Sequence, residues 1–266
     1  MSLPYRRGAA TRRMVAWALV AGCAAASAGC ATHSGTETTG TVRAQGSPTS
    51  ESDWRHEVDV AGELYRTRPY DAGAAIRYAQ ALRAIGQRAQ AAAVLEQASI
   101  RDPKNPALLG AYGRALADAG NYGQALEVLS RAHTPDQPDW HVLSVQGAVL
   151  DQMGRHDEAR RYYASALRLA PDEPSVLSNL GLSYALSKDL KQAEATMRRA
   201  SSDGRIDPRV RQNLALVVGL QGRFAEAETI ARADLPAEEA AANVAYLREM
   251  LAHPKGIAKL PHPGTS

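Results

Sequence analysis

Cut every 34 residues from Ala72, the chain falls into five frames starting at Ala72, Pro106, Trp140, Pro174 and Pro208. Position 20 of every frame is alanine: Ala91, Ala125, Ala159, Ala193 and Ala227. Position 8 reads Ala79, Gly113, Gly147, Gly181 and Ala215, and position 15 reads Gly86, Gly120, Gly154, Lys188 and Gly222. Position 27 reads Ala98, Ala132, Ala166, Ala200 and then Asp234. Self-similarity at this period restricts the chain to a stacked array. Each unit leaves apolar surface open, and the next unit covers it.

Within a frame the apolar residues recur at helical spacing. Positions 7, 8 and 11 share one helix face, and positions 20, 24 and 27 share a second. Small residues at 8, 20 and 27 let two helices approach to about 8–10 Å, while large side chains at 7, 11 and 24 fill the gaps. Glycine at position 15 suits a left-handed helix end, and Pro103 and Pro171 at position 32 stop the second helix. The prediction is an all-α solenoid of five helix–turn–helix repeats over residues 72–240. Residues 53–71 read as an N-terminal capping helix with Val58, Ala61, Leu64 and Tyr65 inward. A closing helix over residues 241–252, drawn from Glu238–Leu251, places Ala241, Val244, Leu247 and Leu251 on one face. The tail 253–266, with three prolines, reads as disordered.

These columns resemble the tetratricopeptide repeat (TPR). The resemblance implies a superhelix whose first helices line a groove through positions 2, 5, 6, 9, 12 and 13. The peptide-binding candidates on those positions are Asn179, Arg209 and Asn213, with Leu182 and Leu216 adding apolar surface. Asparagine can donate to and accept from a peptide backbone, and arginine can meet a carboxylate. The carboxylate clamp of some TPR domains is matched only in part. Ser144 and Ala148 stand where that clamp has lysine and asparagine, and Asn213 where it has arginine. The position-20 alanines with Gly113, Gly147 and Gly181 are the repeat-packing residues.

The first thirty residues have a different character. Arg6, Arg7, Arg12 and Arg13 precede the apolar run from Met14, and no acid occurs before Glu37. That order is a secretory signal, and the run is shorter than the ~20 residues of a membrane span. Val20-Ala21-Gly22-Cys23 resembles a lipobox, which implies cleavage after residue 22 and a lipid on Cys23. Ser27-Ala28-Gly29-Cys30 is the alternative, with cleavage after residue 29. No other cysteine exists in the chain. Residue +2 is then Ala24 or Ala31 rather than aspartate, which by the lipoprotein sorting rule favours the outer membrane. Residues 23–52 read as a lipidated terminus and a Ser/Thr/Gly tether, too poor in apolar groups to fold. The whole chain carries 31 Lys and Arg against 28 Asp and Glu. Without the signal arginines the balance is 27 to 28, which carries no electrostatic footprint for nucleic acid.

No phosphate-binding loop, HExxH or CxxC pattern occurs. His133 and His141 lie across a Pro-containing loop and read as solvated residues. An enzymatic reading would rest on Asp151, Asp157 and Glu158, acids near one hairpin turn. Asp157 and Glu158 there read as an ordinary helix start beside Arg155, Arg160 and Arg161. No catalytic, metal or cofactor residue is assigned, and no small-molecule substrate is expected.

One stretch is more specific. Gly219-Leu-Gln-Gly-Arg-Phe-Ala-Glu-Ala-Glu228 and Ala240-Ala-Ala-Asn-Val-Ala-Tyr-Leu-Arg248, with the lipobox and the five-repeat body, resemble the TadD proteins of tight-adherence (Tad/Flp) pilus systems. That resemblance implies a lipoprotein on the periplasmic face of the outer membrane. Its groove would hold a pilus or secretin component and assist secretin assembly. A periplasmic TPR adaptor for envelope or peptidoglycan assembly is the alternative.

Overall fold

The computed structural model describes residues 50–200 and 207–252. Cys23, Cys30, most of the tether and the tail 253–266 lie outside the described residues. Those described form twelve helices in antiparallel sequence. They are α1 (Glu51–Thr67), α2 (Ala72–Ala84), α3 (Arg88–Arg101), α4 (Pro106–Asp118), α5 (Tyr122–Ser130), α6 (Trp140–Gln152), α7 (His156–Leu169), α8 (Pro174–Leu186), α9 (Leu190–Arg199), α10 (Pro208–Leu220), α11 (Phe224–Ala231) and α12 (Ala237–Ala252). The first helices α2, α4, α6, α8 and α10 begin at the five frame starts and span 13 residues each.

The starts are set by a column that the sequence reading passed over. Residues Asp71, Asn105, Asp139, Glu173 and Asp207 precede the frames at the same interval, and each side chain accepts a backbone N–H of the helix that follows. Such a cap satisfies donors that the helix leaves open and meets the positive end of its dipole. Pro106, Pro174 and Pro208 then occupy the first turn, where proline loses no helical bond.

Two residues beyond the end of each first helix, at position 15, Gly86, Gly120, Gly154 and Gly222 have φ of 78°, 84°, 74° and 82°. Lys188 holds the same left-handed turn at φ 66°. A Cβ there costs about 1–2 kcal/mol in the left-handed region. Lys188→Gly is therefore expected to raise stability by about 1 kcal/mol, allowing for glycine's greater entropy when unfolded. Chemical denaturation checks it, and a lower midpoint would refute the strain.

All five position-20 alanines are fully buried, and the position-8 glycines sit under large side chains at position 24. A Cβ at Gly147 would lie 2.6 Å from a ring carbon of Tyr163, and one at Gly181 2.6 Å from Met197. A Cβ at Gly113 would run into Leu129 in the same way. Each of these first helices thus reaches its own second helix through a missing side chain. The resulting core runs from Ala75 to Val149, continues through Leu143–Val176 around Tyr163, and ends around Met197, Val217 and Val244.

Two boundaries differ from expectation. Helix α1 begins at Glu51, not residue 53, because Ser50 and Asp53 form a reciprocal capping box. Beside Ala61 its buried contact is Gly62, which faces the Tyr78 ring, while Val58, Leu64 and Tyr65 are only half-buried. Helix α12 begins at Ala237, not 241. Its core residues are Ala240 and Val244; Ala240 packs with Ala215 and Ala231, whereas Leu251 is exposed. Asp234, where the other frames have alanine, is filled in by an ion pair with Arg211 Nη1 at 2.8 Å.

Between repeats 4 and 5, Glu194 accepts hydrogen bonds from Gln221, Arg198 and Arg223. Burial works to raise its pKa, but these donors outweigh it and hold the carboxyl below its ordinary value. A depressed folded-state pKa contributes stability that is full above the unfolded value and is lost as pH falls through the folded one. Glu194→Gln is accordingly expected to flatten the acid limb of a Tm–pH curve below about pH 4. An unchanged limb would refute it.

Candidate functional site

First helices touch one another along the array, α2 with α4, α4 with α6, α6 with α8 and α8 with α10, whereas each second helix meets only elements adjacent in sequence and none of the other second helices. The first helices therefore form the inner layer. On it opens a concavity of about 490 Å³, lined from four of them and from the starts of α3 and α5.

Its rim is cationic. Arg83 (α2), Arg88 (α3) and Arg114 (α4) reach it, against one lining carboxylate, Asp118. Asp118 is already ion-paired with Arg83. Arg88 and Arg114 have no side-chain hydrogen bond or ion pair among the described residues. Burial lowers the basicity of Arg114, and the like charge of Arg83 lowers it further, while Asp118 and Asp139 partly offset this. Trp140 and His141 stack at 3.5 Å at the same opening, with Val145, Ala148 and Val149 contributing apolar surface. His141 Nδ1 lies 3.0 Å from Asp139.

Of the residues expected from sequence, the structure brings only Asn179 into this concavity. Its amide donates to Ser144 Oγ at 3.2 Å, and Asn213 repeats the contact one unit on, donating to Ser178 Oγ at 3.0 Å. These asparagines tie consecutive first helices together. Arg209 is exposed at the start of α10, with its backbone N–H on Asp207. Leu182 is half-buried, packed against the core around Met197, and Leu216 and Leu186 are exposed nearby in the same layer. The candidate set thus divides between a polar central concavity and an apolar C-terminal stretch.

Arg114 and Arg83, which sequence reasoning missed, occupy positions 9 and 12 of their frames. Both positions face the groove in the TPR register, so the signal was present there.

The acids weighed as a catalytic grouping are otherwise engaged. Asp151 is buried, and its Oδ1 accepts from Ser183 Oγ at 2.8 Å and lies 2.8 Å from His156 Nδ1. Its Oδ2 accepts from the Tyr163 hydroxyl at 3.0 Å. Glu158 takes both Arg155 donors at 2.7 Å, and Asp157 pairs with Arg160. His133 Nε2 lies 3.3 Å from Gln146, and its partner is not the one His141 has. No group of three or more potential metal ligands occurs among the described residues. No helix among them is long and apolar enough to cross a membrane.

Comparisons with known proteins agree with this architecture. A family model described as tetratricopeptide repeat matches residues 82–147 and 152–217, and a second with the same description matches 140–162 and 208–233. No curated protein sequence matches the chain. Among solved structures, PilW, described as a widely conserved type IV pilus biogenesis factor, superposes with TM-score 0.62 at 18% identity, covering 73% of this chain and 91% of PilW. A thermophilic TPR protein of Thermus thermophilus, TTC0263, gives TM-score 0.57 at 20% identity over 63% of this chain and 91% of its own. The Cut9–Hcn1 complex of the APC/C gives 0.57 at 16% identity, covering 74% of this chain and 40% of the matched one.

Proposed function

The chain belongs to the tetratricopeptide-repeat family, with matches running from residue 82 to 233, and on that premise we propose that it is a lipid-anchored scaffold that holds a component of a Tad/Flp-type pilus machine. Acyl chains on Cys23, or on Cys30, attach it to the periplasmic face of the outer membrane. The segment up to residue 49 gives the array reach from that anchor. The inner layer of first helices then binds a segment of the partner and assists assembly of the secretin. TPR arrays act by binding proteins, and this one presents Arg88 and Arg114, without side-chain hydrogen bonds or ion pairs among the described residues, at the concavity of the inner layer.

The observation that carries the pilus reading is a double likeness. The body shares its fold with a pilus biogenesis factor over most of both chains, and residues 219–248 carry the TadD-like stretch. Neither alone reaches beyond a generic repeat scaffold. No metal or cofactor enters this reading.

Gene deletion tests it. The expected result is loss of the high-mass secretin ring from the outer membrane, restored by the wild-type gene but not by the Cys23→Ser/Cys30→Ser double variant. A normal ring in the deletion strain refutes the secretin role. Full complementation by the double variant refutes the anchor.

A further inference from the structure

We propose that the concavity around Arg114 is an acid-reading subsite: it receives Asp or Glu side chains from the interior of an extended segment of the protein partner. The inference rests on the reading that the inner layer binds such a segment, and it names what that segment must carry.

Three observations support it together. The first is charge. Three arginines against the lining Asp118 and the adjoining Asp139, which acts on Arg114 and holds His141, leave the opening at +1 without counting His141, and Asp118 is already matched to Arg83. The second is availability. Arg88 and Arg114 hold no side-chain hydrogen bond or ion pair among the described residues, although guanidinium groups elsewhere in the array are tied to acids, as at Arg77–Glu57, Arg155–Glu158 and Arg198–Glu226. Arg114 is also half-buried, so its charge is poorly hydrated and an arriving carboxylate displaces little water from it. A planar guanidinium meets a carboxylate through two parallel hydrogen bonds, a geometry that favours side-chain acids.

The third is shape. A volume of about 490 Å³ lies within the ~300–1,000 Å³ of ordinary ligand sites, and its surface mixes the arginines with Val145, Ala148, Val149 and the Trp140 ring. Acidic residues interleaved with aliphatic ones fit both halves of that lining. A nucleic-acid backbone fits less well, because the full chain is near charge balance. The site differs from a clamp for a terminal carboxylate, since its cations come from positions 9, 12 and 17 of the first two repeats.

The test is selection from a displayed library of random nonapeptides against the immobilised full chain. The expected peptides carry two or more Asp or Glu. Their binding falls at least tenfold with Arg114→Ala, by a similar factor with the exposed Arg88→Ala, and again when each acid is changed to its amide. Circular dichroism of both variants separates loss of binding from loss of fold, and Arg88→Ala, on the surface, keeps the test valid if Arg114→Ala unfolds. Selected peptides that are neutral and indifferent to both arginines overturn the acid subsite while leaving a peptide-binding groove. No enrichment at all overturns the groove reading as well. A single-stranded DNA decamer that binds more tightly than the peptides, through the same arginines, assigns the subsite to phosphate and overturns the proposal.

Discussion

Tyr163→Ala is expected to destabilise the array by about 3–5 kcal/mol, the range for emptying a buried aromatic site. Tyr163 is 1% exposed, and its ring occupies the space that Gly147 leaves open on α6. Burial pushes its phenol well above the usual range, with the nearby Asp151 charge acting in the same direction, which favours the hydroxyl as the donor to Asp151. Tyr163→Phe keeps the ring and removes only the bond to Asp151, at about 1–2 kcal/mol. The difference between the two variants isolates the packing. The reciprocal change, Gly147→Ala, drives a methyl into the ring and is expected to cost about 1–3 kcal/mol. Pairing it with Tyr163→Leu should recover part of that cost. Chemical denaturation of these variants measures this, and strict additivity would refute the contact.

The second large effect belongs to Asp151→Ala, at about 2–4 kcal/mol, because its loss strands more than one buried partner. One carboxylate there joins three helices: its own α6, α7 through Tyr163 and His156, and α8 through Ser183. Removing it leaves the Ser183 hydroxyl, which is fully buried, and the Tyr163 hydroxyl without an acceptor. An unmatched buried polar group costs about 1–3 kcal/mol. Asp151→Asn retains one carbonyl acceptor and should lose well under half as much. Because Tyr163 and Asp151 share a bond, Asp151→Ala and Tyr163→Phe should be non-additive by roughly 0.5–3 kcal/mol in a double-mutant cycle. A coupling of zero would mean that the hydroxyl and the carboxylate do not interact in solution.

Position 147 shows why so much of the fold was readable from sequence. A glycine at position 8 and a large residue at position 24 are two ends of one contact, and each repeats with the period, so the pairing is visible without coordinates. The left-handed turns at position 15 follow by the same logic. What periodicity could not supply lies where repeats stop resembling one another. Helix α12 begins at Ala237, one residue before the Glu238 start read from the sequence, and it turns Ala240 rather than Ala241 towards Ala215 and Ala231. Ser50 and Asp53 were hidden in a Ser/Thr-rich stretch whose composition points away from helix. The candidate site was legible only in part. Asn179 and Asn213 stood out as a repeated column, and the structure uses their amides to join repeats. Arg83, Arg88 and Arg114 occupy different positions in two repeats, so they form no column, and only the stacking of α2 on α4 brings them to one opening. Asp151 drew attention as an acid near a turn, but its chemistry is that of a buried acceptor.

Among the described residues, every helix–helix contact joins elements that are neighbours or next-but-one along the chain. Contacts this local are expected to favour fast folding, and they also set how the molecule would bear a load. With no described element closing one end of the array onto the other, a pull at the N-terminal end of the array peels α1 away before α2. Tension is then met hairpin by hairpin, each release lengthening the chain by about one 34-residue unit before the next is loaded. A scaffold made of such an array would yield in steps under load, while its far repeats stayed folded.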